Sequence, residues 1–211
     1  MTSVEFRSLL SGRATAARVQ LDDALVARLE AYFGLLARWN TRINLTGFSL
    51  DTPTPQAVDR LLVEPLRIVR LLPQPVSVWF DLGSGGGSPA IPLQLYKPAR
   101  HLILVESKEK KAAFLREAVR ELGLSNVEVE VARIESITAT HRFAATVDLV
   151  TVRAVRPSPA VFGASRALLR EGGRAVFMGS RSNNAIRPEA FQILPTVEFA
   201  AGDEVIMFER I

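Results

Sequence analysis

The chain has 211 residues, 48% of them apolar, with a formal charge of +4 and no cysteine; this suits one core-forming domain with an appendage and excludes disulfides, thiolate metal sites and cysteine nucleophiles. Only two histidines occur, His101 and His141, so a histidine-rich centre is excluded and no metal is expected. No apolar run reaches membrane-spanning length, and Met1–Ser11 lacks the basic start and apolar block of a secretory leader, which points to a cytoplasmic protein with no membrane partner.

Leu21, Leu25, Leu29, Phe33 and Leu36 recur at helical spacing behind Asp22 and Asp23, predicting an amphipathic helix over residues 21–38. Asp51-Thr52-Pro53-Thr54-Pro55 reads as a loop, and Val58 to Leu72 as a second helical stretch, broken or begun at Pro65. Residues 1–72 are therefore expected to be a helical N-terminal extension, and 73–211 a separate α/β domain. There, β-rich runs alternate with helical ones: strands at Val76–Phe80, His101–Val105, Val127–Val131, Val147–Val152 and Arg174–Met178, helices near Pro89–Leu95, Lys108–Leu122 and Pro159–Leu169. Such alternation implies parallel βαβ units. Ile193–Phe199 and Glu204–Phe208, joined by Ala200-Ala201-Gly202-Asp203, leave no room for a helix, so a mostly parallel sheet of seven strands should end in an antiparallel hairpin.

Charge is uneven along the chain. Lysine occurs only at 97, 108, 110 and 111, so arginine supplies most of the positive charge. Residues 133–187 hold nine arginines against three acids (Glu135, Asp148 and Glu171), whereas five acids and one arginine follow from 188. A one-sided basic face suits nucleic acid; a GC-rich coding sequence accounts equally well for the preference for arginine over lysine.

The densest signal is Asp81-Leu82-Gly83-Ser84-Gly85-Gly86-Gly87-Ser88-Pro89, which follows an apolar strand. The dinucleotide pattern G-x-G-x-x-G fails, because Ser88 stands where its third glycine belongs. What stands here is D-x-G-x-G-x-G-x-P. An acid at the strand end repels a pyrophosphate and suits a cationic group, such as the ammonium of S-adenosylmethionine. Gly83, Gly85 and Gly87 would let that ligand lie against the backbone, and Glu106, at the end of the second strand, is placed for ribose hydroxyls. The plainer alternative is a glycine turn with Glu106 solvated at a helix start, but four glycines in five positions cost much chain entropy for a turn alone.

Several acceptor chemistries lack their usual residues. There is no cysteine to activate a pyrimidine ring. The turn after the fourth strand reads Thr151-Val152-Arg153-Ala154-Val155-Arg156-Pro157, without the Asn/Asp-Pro-Pro-aromatic motif of exocyclic-amine methylation. Dispersed lysines and clustered carboxylates are missing too. An acceptor that needs no deprotonation remains, and guanine N7 is one. Arg153 is the candidate to hold guanine or a flanking phosphate; a surface salt bridge is the alternative for that residue. Arg156 is a candidate phosphate contact.

These residues resemble the bacterial small-subunit ribosomal RNA methyltransferase G family, also called glucose-inhibited division protein B. Trp39-Asn40 with Asn44-Leu45-Thr46 looks like its W-N-x-x-x-N-L-T signature, and Asp81 to Leu93 like its D-x-G-[ST]-G-x-G-x-P-G-I-P-L loop. Glu106-Ser107, Lys110-Lys111, Phe114-Leu115, Asn126-Val127, Arg133-Ile134-Glu135 and Arg153-Ala154 are similar to further family elements. The chain departs from the family pattern at Arg60, Pro65, Ala90 and Met178. The resemblance implies a class I, Rossmann-like methyltransferase that methylates guanine N7 in 16S rRNA of the small ribosomal subunit. It implies S-adenosylmethionine as donor, S-adenosylhomocysteine as product, and donor contacts by Gly83, Ser88, Ile134, Glu135 and Arg153. A monomer is expected, with Arg38, Arg42, Arg60 and Arg156 meeting RNA phosphates. Two rivals are a small-molecule methyltransferase and a non-catalytic RNA-binding or ribosome-assembly factor that keeps bound adenosylmethionine. Trp39 also suits a core position, and Asn44 and Thr46 suit turns.

Overall fold

The computed structural model describes residues 2–137, 141–155, 157–179, 188–195, 197–198 and 204–211. They fall into two compact units: a helical one of Met1–Leu71, Gly85–Pro98 and Lys108–Ser125, and a sheet unit of Leu72–Ser84, Ala99–Ser107 and Asn126–Ile211. The expected extension over 1–72 thus shares its unit with two later segments.

The helical unit opens with α1 (Ser3–Ala16), a helix the apolar spacing alone does not announce. Only Phe6, Leu10 and Ala14 are buried along it, too thin a stripe to read as a helix face. A capping box of Thr2 and Glu5 starts it. Helix α2 (Asp23–Asn40) runs close to the predicted span. Asp22 accepts from the Leu25 N–H, and Val26, Leu29, Tyr32, Phe33 and Leu36 form the buried stripe. Phe6 meets Phe33 at 5.0 Å between ring centroids, and Arg7 bonds Glu30 at 2.6 Å.

The second predicted helix begins earlier than expected. It comprises α3 (Pro55–Val58), a π-helical turn (Asp59–Val63), α4 (Glu64–Arg67) and a 3-10 turn (Val69–Leu71). Pro65 neither breaks nor begins it but lies within it. Proline has no N–H to offer the carbonyl four residues back, and the wider π turn carries the chain past that point, with the Glu64 N–H bonded to the Asp59 carbonyl. Helices α5 (Ala90–Tyr96) and α6 (Glu109–Glu121) complete this unit, α6 burying Ala112, Phe114, Leu115 and Ala118.

In the sheet unit, β1 (Val78–Leu82), β2 (His101–Glu106), β3 (Val127–Val131), β4 (Val147–Arg153) and β5 (Leu169–Met178) form the parallel part, with α7 (Pro159–Leu168) before β5. With β6 (Phe191–Ile193) and β8 (Glu204–Arg210), the order is β3-β2-β1-β4-β5-β8-β6, β8 running antiparallel to β5. This is the expected fold class. Among the described residues, eight strand segments occupy seven positions, because β6 and β7 (Val197–Glu198) both pair with β8. The expected strand Ile193–Phe199 is therefore two pieces. Pro195 lies between them and cannot donate to a ladder. The expected turn over 200–203 lies outside the described residues.

Strand β1 begins and ends two residues later than predicted, so Asp81 lies within the ladder. Phe80, Leu82, Ile103, Val105, Val150 and Val152 alternate onto one face, in a core shared with Val161, Phe162 and Leu168 of α7. Asp81, Glu106, Thr151 and Arg153 alternate onto the other.

Candidate active site

Register builds the site in the sheet unit. Asp81 pairs with Leu104 of β2 and Thr151 of β4, and Leu82 pairs with Val105 and Val152. Glu106 and Arg153 therefore lie one residue beyond those last pairs, on either side of β1. Paired residues of parallel strands point the same way and side chains alternate. Trp79, Asp81, Glu106, Thr151 and Arg153 consequently share one face, with Asp81, Glu106 and Arg153 toward the carboxyl ends of the strands, where open α/β sheets take ligands.

Asp81 is 1% exposed and Thr151 fully buried. The Trp79 Nε1–H donates to Thr151 Oγ1 at 2.9 Å, and Thr151 Oγ1–H donates to Asp81 Oδ1 at 2.5 Å. Burial pushes the Asp81 carboxyl up to about 6; the Thr151 and Ser84 hydroxyls and the Arg153 guanidinium hold it down, while the Glu106 carboxylate adds to the rise. Glu106 is buried, and Arg153 half-buried. The loop leaves β1 with the Gly83 and Ser84 N–H groups on the Val105 carbonyl, at 2.9 and 3.0 Å. Gly83 has φ +75°, and a Cβ there would lie 2.7 Å from Val155 Cγ2. Ile134, half-buried, and exposed Glu135 form a 3-10 turn shortly after β3.

At the other end of the same strands, Asp148 Oδ2 accepts from the Ser77 and Val78 N–H groups at 2.7 and 3.0 Å, and its Oδ1 accepts from Arg170 Nε at 2.7 Å. Burial pushes this carboxyl up, but the two backbone donors and the guanidinium outweigh it, and the net shift is downward.

The rest of the glycine segment belongs to the helical unit. Gly87 has φ +87°, with Ile91 Cδ1 2.5 Å from where a Cβ would stand. The Gly86 carbonyl accepts from the Tyr32 hydroxyl at 2.6 Å, and a Cβ on Gly86 would meet Leu36 and the Leu45 carbonyl at 3.2 Å. Part of the glycine requirement therefore comes from protein packing. Ser88 Oγ donates to the Leu61 carbonyl at 2.8 Å. That carbonyl lies four residues before Pro65, so the hydroxyl takes a place the proline cannot fill.

Trp39 is half-buried, edge-on to Phe114 at 5.9 Å. Asn40 holds the following turn: its Oδ1 accepts from the Leu45 and Thr46 N–H groups and its Nδ2 donates to the Phe48 carbonyl. Of the expected RNA contacts, Arg42 is exposed, exposed Arg38 pairs with Glu121 at 3.3 Å, and half-buried Arg60 pairs with Glu64 at 3.0 Å. Arg156 lies outside the described residues.

Trp79, Thr151, Tyr32 and the Ser88–Leu61 bond were not anticipated from sequence. A threonine within the apolar run Val147–Val152 is the one visible hint, since a buried hydroxyl needs partners.

The residues present fit an adenosyl donor with a cationic amino-acid end. Two buried carboxylates, Asp81 and Glu106, share a strand-end face that would repel phosphate.

A family model described as rRNA small subunit methyltransferase G matches residues 25–196. A curated relative named ribosomal RNA small subunit methyltransferase G, from Halorhodospira halophila, is 38% identical over 167 residues, covering 79% of this chain and 75% of its own length. One of the same name from Rhodopseudomonas palustris is 39% identical over 167 residues, covering 78% and 68%. The crystal structure of a SAM dependent methyltransferase from Aquifex aeolicus superposes with a TM-score of 0.56 at 12% identity, covering 75% of this chain and 94% of that one, a likeness of fold.

Proposed function

The chain belongs to the rRNA small subunit methyltransferase G family, and on that premise we propose that it transfers a methyl group from S-adenosylmethionine to guanine N7 of 16S rRNA. The observation that carries this reading is the strand-end face of Asp81, Glu106 and Arg153, two buried carboxylates beside a half-buried guanidinium. When bound, adenosylmethionine supplies an electrophilic methyl group on a sulfonium sulfur. Asp81 is assigned to the donor's ammonium and Glu106 to its ribose hydroxyls. Gly83, Gly85, Gly87, Ser88, Ile134 and Glu135 are the further donor-binding candidates, the last two toward the adenine. Ser88 would act through its backbone, since its hydroxyl is donated to Leu61.

Guanine N7 carries an in-plane lone pair, so the protein need remove no proton. Its tasks are to align acceptor and donor and to exclude water. Arg153 is the candidate catalytic residue, its guanidinium matching the guanine O6 edge. Arg42 is the most available of the described phosphate-contact candidates, because Arg38 and Arg60 are each engaged by a glutamate. The reading also takes the protein as a cytoplasmic monomer that needs no metal, with a helical extension over 1–72.

The test is tritiated methyl transfer to rRNA from a strain lacking the endogenous enzyme, followed by nucleoside mass analysis. Label in 7-methylguanosine, lost on Arg153→Ala with the fold retained, is the expected result. Label in another nucleoside overturns the acceptor. Adenosylmethionine binding with no transfer supports the assembly-factor rival.

A further inference from the structure

We propose that Thr151 is a positioning residue for the donor site: its hydroxyl, oriented by the Trp79 indole N–H, keeps the buried Asp81 carboxylate charged and aimed at the strand ends. This rests on the reading of Asp81 as the anionic partner of the donor.

Proton accounting on the observed bonds carries the argument. An indole N–H can only donate. Its 2.9 Å bond to Thr151 Oγ1 therefore uses an oxygen lone pair. The single hydroxyl hydrogen is then free for Asp81 Oδ1, 2.5 Å away. The chain runs one way, from Trp79 through Thr151 to Asp81. It stabilises the carboxylate, because a donor favours the charged form.

The site needs such support. Asp81 is 1% exposed. Among the described residues, the charged groups acting on it are Glu106 of β2, which opposes ionisation, and Arg153 of β4, which favours it. Ser84, in the loop leaving β1, gives its hydroxyl to the Asp81 carbonyl at 2.9 Å and also favours the charged carboxyl, though less than Thr151 does. Packing does not demand a hydroxyl at 151. Its strand neighbours are Val150 and Val152, and valine has nearly the same shape. A fully buried hydroxyl in that run is costly unless its bonds are made.

The test has two readouts. Carbon-detected NMR follows the Asp81 carboxyl of the ligand-free protein, whose midpoint is expected at about 6. Thr151→Val should raise it by about one pH unit or more, and Thr151→Ser should restore it. Calorimetry with S-adenosylhomocysteine at about pH 6.5 should show about threefold weaker binding for Thr151→Val for a one-unit rise in the Asp81 midpoint, recovering toward pH 8, with Thr151→Ser near wild type. The ligand's own ammonium and carboxylate keep their charges over this range. An unmoved midpoint in a folded Thr151→Val protein overturns the proposal, as does a serine variant that behaves like valine. A wild-type protein that binds no adenosyl ligand at any pH removes the donor site itself, and Thr151's part in it, whatever the midpoint does.

Discussion

Asp81 and Asp148 stand on neighbouring strands near opposite ends of one sheet, and the protein treats them in opposite ways. Asp148 receives two backbone N–H groups and a guanidinium, so folding favours its charge. Asp81 is more deeply buried and faces Glu106, and the Thr151 and Ser84 hydroxyls and the Arg153 guanidinium do not offset its burial, so folding opposes its charge. The difference separates a carboxylate that the fold has satisfied from one left wanting a cation. An under-compensated buried acid at the carboxyl ends of parallel strands marks a ligand site; a fully compensated one at the other end ties strands together.

The sharpest way to break this comparison is Asp81→Asn. Adenosylhomocysteine affinity should fall about a hundredfold, the scale of losing a buried charge partner, while the melting temperature at about pH 7.5 holds or rises. A strong loss of stability with affinity retained would reverse the assignment. Asp148→Ala should do the opposite. It leaves two strand-start N–H groups without their acceptor and should cost about 2 kcal/mol in denaturant unfolding, discounted because Arg170 is half-exposed. The variant should still bind ligand below its transition. The smallest effect is in pH dependence. Asp81 has a folded value of about 6 against 3.8 for the free group, so the folded state binds more protons between those values. Its contribution therefore weakens the fold above pH 6 and is relieved as pH falls. The lowered value of Asp148 works the other way: its stabilisation is present at neutral pH and lost toward acid. Comparing wild type with Asp81→Asn isolates the Asp81 contribution. Wild type should gain about 1 kcal/mol on the variant from about pH 7 to pH 5, and a gain in the other direction would exclude a raised Asp81.

Much of the sheet unit was legible in advance. Strand and helix alternate with clear periodicity, and β3 matches its predicted bounds residue for residue. Asp81, Glu106 and Arg153 could be singled out because each follows a run of apolar residues at a strand end. Helix α1 was not legible, because its buried stripe is three residues wide and leans on tertiary contacts such as Phe6 with Phe33. The sequence marks Pro65 as a place where the helical stretch breaks or begins, because the π turn and the serine hydroxyl from residue 88 that accommodate it do not show in a local window. The sequence offers ligand approach or a plain turn as reasons for the glycines, whereas Gly83 and Gly86 also clear space for Val155, Leu36 and Leu45.

Local order came from the amino-acid string by itself: where apolar runs stop, where turns fall, which acids end strands and which nucleophiles are missing. These depend on neighbours a few residues apart, and their signals are periodicity and turn chemistry. Only the tertiary structure decided that Thr151 meets Asp81 across seventy positions, that Trp79 orients it, and that Asp148 is satisfied while Asp81 is not. Strand register depends on the packing of whole faces, and a slip of one residue would have turned each of these side chains to the other side of the sheet.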